Sequence, residues 1–512
     1  MTTQPERSGS NPTISPEFDS LLRASMRIDT INVAQDFING KIYYGAVLKG
    51  DSYLINSDQV YFKLEDALGN GFKPNIREIQ KSGLSPDTIK TFFENTLPID
   101  VTELFKDITK YYKRFIIFTN PEHYILLTLW TMGTYMFRAF SYYPYLHFVG
   151  EKGTGKSTVL GLVRAIAFNG QNSVGTTQAV LFRESESLSP TWMLDESEWL
   201  GSKFLEKSQG LSDILKSGFH KEGIARRCST NENSKIESFC VYSPKAFASI
   251  NEFDNVLADR TIPITLQKKL STERVEKLTD SSQVREMQKN LVNRLYLFGL
   301  QHGKFIGNTY QNNFESINGI EITRNREQDI WAPILVIANY IDSKMPQGNP
   351  FQVTGYTKRL IMNYLEDRDF EDTSDNLMII IVDSLEDVYD NCPNGVEIMP
   401  RLKRFPTSSV LQYLIRVHEF PSFIKVGTLT RKMKTLGFHN KPVTVQGASR
   451  RAYEIEHDRI EELKNRYLNR ARESNFTQGI RDETYGRLLS LDELLVPQNS
   501  LQNVTVENTD NS

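Results

Sequence analysis

Three observations predict an α/β fold. An aromatic-rich, strand-like run, Tyr143 to Val149, meets a glycine-rich loop and then a helix-like run, Thr158 to Phe168. From there strand-like and helix-like stretches alternate to about residue 270, the pattern of a sheet covered by helices. Within that stretch a short apolar run, Ser189 to Leu194, ends in the carboxylate pair Asp195-Glu196. In an open α/β sheet, ligands bind at the carboxyl ends of the strands.

The chain of 512 residues is long enough for two to four domains, each with its own core. With 39% apolar and 24% charged residues its composition is that of a soluble globular protein. Met1 to Pro16 is polar and Ser/Pro/Thr-rich, which predicts a disordered tail over 1–17 and no secretory signal. Asp36 to Leu64 alternates polar and apolar residues around Asn39-Gly40 and Gly50-Asp51, predicting a small antiparallel β unit within 18–97. Ser85 to Tyr112 reads as helical, with Ser85-Pro86-Asp87 and Pro98-Ile-Asp100 as start signals. Tyr124 to Phe140 is the most apolar stretch, but it contains Arg138 and several Thr and Tyr. At about 17 residues it reads as a buried helix and not a membrane span.

The loop itself, Gly150, Glu151, Lys152, Gly153, Thr154, Gly155, Lys156, Ser157 and Thr158, matches G-x-x-x-x-G-K-[ST] in full. Its glycines let backbone wrap a phosphate chain, and the N–H groups of loop and helix start would face the anion. Lys156 would reach the β- and γ-phosphates, and the Ser157 hydroxyl would hold Mg²⁺. The chain is therefore expected to bind ATP with Mg²⁺. Asp195 would hold the metal opposite Ser157, and Glu196 would orient the attacking water. Ser243 to Asn251 is another apolar run with a polar end; Asn251 is either a sensor of the γ-phosphate or an ordinary turn residue. Arg260, just before the strand-like Thr261 to Leu266, is either a finger for a neighbour's γ-phosphate or half of a surface pair with Asp259. The phosphate-loop core with its preceding helices is assigned to 98–270. A helical region follows at 271–390, with the apolar centre Ile330 to Tyr340 as a packing helix.

The net charge of −3 conceals a basic region. Arg401 to Arg451 holds eleven Lys and Arg against the single acid Glu419, +10 in 51 residues. Two helix-like runs, Thr407 to His418 and Val426 to Leu436, precede a hairpin-like Lys441 to Val445 and Arg450 to Ile455. That is the order of a winged helix, predicted over 391–470 after the turn cluster Asn391 to Gly395. Arg431, Lys432, Lys434, Lys441, Arg450 and Arg451 would contact nucleic acid; the competing reading is a basic docking face for an acidic partner. Lys221, Arg226, Arg227 and Lys235 belong to a second candidate contact, a hairpin completed by Asn231 to Phe239. The stretch 471–512 is assigned as a C-terminal tail, whose polar end from about Pro497 is expected to be loose. Three widely spaced cysteines and seven histidines give neither a disulfide framework nor a zinc site, and a reducing cytoplasmic setting fits.

Taken in series, these segments resemble the AAA+-like P-loop ATPases of phage, plasmid and mobile-element replication proteins, including superfamily 3 helicases. Ala179-Val-Leu-Phe-Arg183, Pro190 to Glu196, Leu215-Lys-Ser-Gly218-Phe-His220, Leu257 to Ile264 and Arg326 to Leu335 look like the helicase-type ATPases often fused to primases. The resemblance covers about residues 100 to 460 and implies ATP hydrolysis coupled to unwinding or translocation of single-stranded or forked DNA, in a homo-oligomeric ring, a hexamer. Trp192 departs from the aliphatic pattern of such metal-binding strands, and the first 100 residues hold no primase zinc site or carboxylate cluster, so priming would reside on a separate chain. Two other readings stay open: a replication initiator or loader without processive unwinding, and a nucleotide-gated DNA-binding protein with little hydrolysis.

Overall fold

The N-terminal sheet is built by its turns. The computed structural model describes residues 28–79, 82–94, 98–173, 178–195, 197, 214–228, 236–250, 253, 255–269, 272–312, 325–345, 352–374, 377–418, 426–445, 448–467, 491 and 495. The expected tail 1–17 therefore lies outside the described residues; of 471–512 only Leu491 and Leu495 are described, both helical and buried, which a loose polar tail does not predict. A short parallel pair, β1 (Asp29–Ile31) with β6 (Phe72–Pro74), flanks an antiparallel meander β2 (Gln35–Ile38), β3 (Lys41–Leu48), β4 (Asp51–Asn56) and β5 (Tyr61–Lys63). Asn39 and Gly40 take φ of 50° and 72°, the positive values a two-residue hairpin turn needs. The next turn falls on Lys49 (φ 51°) and Gly50 (φ 90°), one residue ahead of the expected Gly50-Asp51. Both central positions must have positive φ, and Asp51 already pairs with Leu48.

Residues 28–345 lie in one compact unit (Met1–Lys358 with Leu489–Ser512), and Arg359–Leu488 form a second. The sequence divides the first of these into a β unit, a core and a helical region. In the structure those parts share a core. Tyr44 of β3 is fully buried, packs against Tyr296 (ring centroids 5.2 Å apart) and Phe168 (5.9 Å), and donates its hydroxyl to the Tyr135 carbonyl.

Two helices follow where the start signals stand. Helix α1 (Pro86–Phe93) is capped by Ser85, whose Oγ accepts from the Thr88 N–H at 3.2 Å, with Pro86 in its first turn. Helix α2 (Val101–Phe115) is capped by Asp100, which accepts from Glu103 N–H at 3.0 Å. The apolar stretch forms α3 (Glu122–Gly133) and then a 3₁₀ turn (Thr134–Ala139), buried on every side. No helix among the described residues is long and apolar enough to cross a membrane.

The central sheet has five parallel strands: β7 (Tyr145–Val149), β8 (Gln171–Asn172), β9 (Trp192–Leu194), β12 (Lys245–Ser249) and β13 (Thr261–Thr265), in the spatial order β13-β7-β12-β9-β8. Strands β7 and β12 are buried at every position, as central parallel strands are. Helix α4 (Lys156–Ile166) follows β7, α5 (Gln178–Leu188) precedes β9, and the single turn α6 (Asn255–Ala258) precedes β13. A two-stranded antiparallel hairpin, β10 (Ile224–Cys228) and β11 (Ile236–Cys240), leaves the sheet between β9 and β12.

The helical region begins later than the periodicity predicts. Residues 272–281 form no helix: Glu276 N–H donates to the Arg114 carbonyl at 3.0 Å, and its carboxylate pairs with the Arg114 side chain at 2.7 Å. Helix α7 (Ser282–Asn312) starts where Ser281 Oγ accepts from Val284 N–H. Helix α8 (Asn325–Lys344) buries Ile330, Trp331, Ile334, Leu335, Ile337 and Ile341, as a packing helix does. Helix α9 (Gln352–Ser374) runs across the boundary between the units.

In the second unit α10 (Leu377–Asn391) leads into the turn at Asn394 (φ 65°) and then β14 (Val396–Met399) and β15 (Leu402–Pro406). Helices α11 (Thr407–Val417) and α12 (Val426–Thr435), the hairpin β16 (Asn440–Val445) and β17 (Ala448–Glu456), and α13 (His457–Tyr467) complete it. The sheet is antiparallel, in the order β14-β15-β17-β16. The unit starts well before the Asn391–Gly395 turn because Ile381, Val382, Leu385 and Val388 of α10 share one core with Phe405, Leu414, Met433 and Tyr453. Strands β14 and β15 are additions that the sequence reading did not contain.

Candidate nucleotide-binding site

The glycine-rich loop leaves the sheet at the place where strand order reverses. After β7 the chain crosses to the far side for β8 and β9, returns to β12 beside β7, and then adds β13 on β7's other flank. A crevice at the carboxyl ends of such strands is where an open α/β sheet takes its ligand. Backbone bonds pin the loop on both sides: Gly150 N–H donates to Ser249 O of β12 at 3.3 Å, and Leu266 N–H donates to Val149 O at 2.7 Å.

Glycine is required at three positions of the loop for different reasons. Gly153 (φ 85°) and Gly155 (φ 94°) are left-handed. At Gly150 a Cβ would lie 2.4 Å from the Leu266 carbonyl oxygen. Thr154, buried, donates its hydroxyl to Glu151 O at 3.0 Å. The Lys156 ammonium folds over the loop and donates to Gly150 O at 2.6 Å and Glu151 O at 2.9 Å. Helix α4 starts at Gly155 with no side-chain cap, so the first-turn N–H groups, those of Lys156, Ser157 and Thr158 among them, face the loop. Ser157 is exposed. Lys268 pairs with the Glu151 carboxylate at 2.7 Å and holds its pKa below the usual range; both side chains are exposed, so the pair contributes little to stability.

Asp195 follows β9, half-buried, at the same carboxyl edge as the loop. Strand β12 lies between β9 and β7, so two strand spacings, about 10 Å, separate the strands that deliver Asp195 and the loop. Ser197 Oγ donates to Leu194 O at 2.7 Å and closes the turn around Asp195. Glu196 and Asn251 lie outside the described residues. The tryptophan that broke the aliphatic pattern is a packing residue. Trp192 is 1% exposed and its indole N–H donates to Ser185 Oγ of α5 at 3.1 Å.

Arg260 is at the other end of the sheet. Its carbonyl accepts from Tyr145 N–H at 3.0 Å, and Thr261 pairs with Tyr145, so it stands where β7 begins and the loop stands where β7 ends. One chain does not bring Arg260 to its own loop. Burial, and then the nearby Arg326, push the Arg260 pKa down.

Two buried polar residues escaped the sequence reading. His147 on β7 shares a hydrogen bond with Ser249 Oγ (2.6 Å) and stacks on Phe253 with ring centroids 3.7 Å apart. Burial pushes its pKa down to about 3, so it is neutral beneath the loop. Lys245, at the start of β12, donates to Val241 O (3.3 Å), Ser243 O (3.0 Å) and Ser243 Oγ (3.0 Å), over the Tyr145 ring. Burial pushes it down to about 7. The one available signal was a polar residue inside an otherwise apolar strand.

The basic residues fall into two groups. Arg226 is exposed on hairpin β10–β11, and alternation places it on the face that also carries the exposed Ile224 and Ile236. The Arg227 side chain lies outside the described residues. Lys221, expected as a DNA contact, is half-buried; its ammonium donates to Phe37 O at 3.4 Å, and burial lowers its pKa. In the second unit Lys434 and Arg451 are exposed. Lys441 pairs with Glu454 at 2.9 Å, as does Arg404 at 2.6 Å; Arg401 pairs with Asp458 at 2.9 Å, and Lys403 donates to Tyr389 O at 3.0 Å. Three of these cations are thus paired with carboxylates just past the window and Lys403 with a neutral carbonyl, so the +10 overstates the local field. The side chains of Arg431, Lys432 and Arg450 lie outside the described residues. Among the described residues there is no group of three or more His, Cys, Asp or Glu placed to hold a metal ion.

No family model matches the chain, and no curated protein matches it. Among solved structures it is similar to the SCCmec type IV Cch active helicase, at 12% identity over 84% of this chain and 97% of that one, with a TM-score of 0.34. It is also similar to the apo C-terminal region of NrS-1 (11% identity, 85% and 97% covered, TM-score 0.31) and to JCV helicase (11%, 52% and 66%, TM-score 0.20). At such TM-scores the likeness carries no argument for this chain, which rests on its own loop, sheet order and charges.

Proposed function

We propose that the chain is a Mg²⁺-dependent ATPase that drives unwinding or translocation of DNA in replication, working as a ring. One observation carries the reading: a G-x-x-x-x-G-K-S loop bridges β7 to the uncapped start of α4 at the switch point of a parallel sheet, with Asp195 on the same edge. Loop and helix N–H groups and Lys156 would bind the triphosphate. Ser157 and Asp195 would hold Mg²⁺, an oxygen donor set that suits a hard cation completed by phosphate and water. Held by these residues, Mg²⁺ would supply positive charge to offset the negative charge of the phosphates. Glu196 would orient water, whose oxygen forms a bond to the γ-phosphorus. The bond to the β-γ bridging oxygen breaks, its electron pair leaves on ADP, and the water's proton passes to the Glu196 carboxylate and on to solvent.

Arg260 at the opposite edge would serve the γ-phosphate of an adjoining copy, and Asn251 would report phosphate loss. Elements for DNA are the exposed face of hairpin β10–β11 and the two-helix-plus-hairpin unit, read as a winged helix, with Lys434 and Arg451 exposed. The deciding experiment measures ATP turnover by the purified chain, with and without single-stranded or forked DNA, for wild type and Lys156→Ala. DNA-stimulated turnover that the variant loses supports the motor. Tight ATP binding without turnover under any DNA condition turns the protein into a nucleotide-gated DNA binder.

A further inference from the structure

Strand β7 reads Tyr-Leu-His-Phe-Val and is buried at every position, and its histidine, His147, is only 2% exposed. A leucine or phenylalanine would fill such a position without taking ring nitrogens out of water. The mechanism above leaves this side chain unused. It makes two contacts. Nε2 shares the 2.6 Å hydrogen bond with Ser249 Oγ, and the ring lies parallel to that of Phe253, with 3° between the planes and 3.7 Å between centroids. Phe253 also meets Phe247 of β12 edge-on, at 5.2 Å.

These contacts converge on one short piece of chain. Strand β12 ends at Ser249, and Phe253 follows four residues later. His147 therefore holds both ends of the segment that leaves β12, while Ile250 between them is 49% exposed. The Ser249 carbonyl also accepts from Gly150 N–H at 3.3 Å, so this segment and the phosphate loop share an anchor. Asn251 lies outside the described residues, but in sequence it is two positions from Ser249 and two from Phe253. Neither Ser249 nor Phe253 can move relative to β7 without breaking the bond or the stack. Among side chains of its size, histidine offers a flat ring to stack and a ring nitrogen to bond. Phenylalanine supplies only the first, asparagine only the second.

We propose that His147 is a positioning residue for hydrolysis: it ties the segment bearing Asn251 to the strand that carries the phosphate loop and so fixes that segment against the γ-phosphate. The inference rests on the ATPase reading and deepens it. His147 touches no substrate and moves no proton, because burial holds its ring neutral near neutral pH.

The test is steady-state ATP turnover by the full-length protein in the presence of DNA. His147→Leu, which loses bond and stack, lowers kcat at least about tenfold, while KM for ATP and binding of a fluorescent ATP analogue stay within about twofold of wild type. His147→Phe and His147→Asn each keep one contact and fall between His147→Leu and wild type. Ser249→Ala removes the bond from its other side, and combining it with His147→Phe costs kcat no more than either change alone. That double variant replaces a buried hydrogen bond by apolar groups, so its melting temperature stays within about three degrees of wild type. A kcat within twofold of wild type across the series overturns the inference and leaves the ATPase reading standing. So does a raised KM at unchanged kcat, since His147 would then only seat the loop through Ser249. Loss of kcat strictly in step with loss of melting temperature overturns it as well, because the side chain would then serve the core alone. A wild type that binds ATP and never hydrolyses it overturns both.

Discussion

The two ends of the five-stranded sheet solve opposite electrostatic problems. At the carboxyl end the working groups are backbone: loop N–H groups, the uncapped start of α4, and glycines that keep Cβ atoms out of the way. Two of the charged side chains there, Lys156 and Glu151, satisfy themselves on loop carbonyls and on Lys268. At the amino end the working groups are cationic side chains from separate segments, Lys245, Arg260 and Arg326, layered on Tyr145, Phe219 and Tyr142. One end is shaped from backbone to receive an anion; the other gathers cationic side chains, with Lys245 buried in a carbonyl cage and Arg326 exposed.

The sharpest way to break that comparison is to remove the one side chain on which the carboxyl end depends. Lys156→Ala should cost ATP turnover at least a hundredfold, about 3 kcal/mol of transition-state stabilisation, with the melting temperature within a degree or two of wild type. The side chain's only described partners are two loop carbonyls, so the fold has little to lose. A variant that still turns over within tenfold of wild type would sever the loop from the chemistry.

The glycines rank next, and they separate shape from charge. Gly150→Ala drives a Cβ to 2.4 Å from a backbone oxygen that cannot step aside, whereas at Gly153 the Cβ meets nothing and only the positive φ is strained. We expect Gly150→Ala to cost about 2–3 kcal/mol and Gly153→Ala about 1–2 kcal/mol. Thermal melts should preserve that order; equal shifts would mean the loop's tight seat on Leu266 is immaterial.

These two ends also differ in how much of them was readable. The loop announces itself because its chemistry is local: nine consecutive residues hold the phosphate-binding backbone, the lysine and the metal-binding hydroxyl. Ser85 and Asp100 were readable for the same reason, each capping a helix that begins at the next residue. The amino end joins Tyr142, Phe219, Lys245, Arg260 and Arg326, whose proximity only the sheet order creates. Charge counting failed for a related reason. Glu454 and Asp458 stand just past the window of Arg401 to Arg451, yet pairing of β15 with β17 lays Glu454 opposite Arg404. The helical start at Ser282 was missed because periodicity is blind to the Arg114–Glu276 contact that holds the preceding segment extended.

Lys245 gives a pH-dependent handle on the amino end. Its folded-state pKa of about 7 lies below the usual 10.5, so between those values the unfolded chain binds the proton that the folded chain has released. Stability should therefore rise as pH climbs from about 7 toward 10, by up to about 1.4 kcal/mol per pH unit, and be flat with respect to this group below 7. Lys245→Met should flatten the rise while leaving Val241 O and Ser243 O short of a donor, at a cost of about 1–3 kcal/mol. Identical pH slopes for variant and wild type would mean that the ammonium keeps its proton in the cage.

The smallest effect belongs to the second unit, where cations are partnered rather than presented. Glu454 holds both Lys441 and Arg404, with 60% and 34% of their side chains exposed. Such pairs contribute about 0–1 kcal/mol to the fold, so a phosphate can compete for these cations with little penalty. Glu454→Gln should leave the melting temperature nearly unchanged, tighten DNA binding a few-fold, and steepen its logarithmic salt dependence by about one to two units as the freed cations engage phosphates. Arg401, paired instead with Asp458, provides the internal contrast: Asp458→Asn should act on DNA affinity in the same direction if β17 and the start of α13 line one interface. If only Glu454→Gln tightens binding, DNA lies along the hairpin alone. If neither does, the basic unit docks something other than DNA, and the hairpin carrying Arg226 becomes the remaining candidate DNA contact among the described residues.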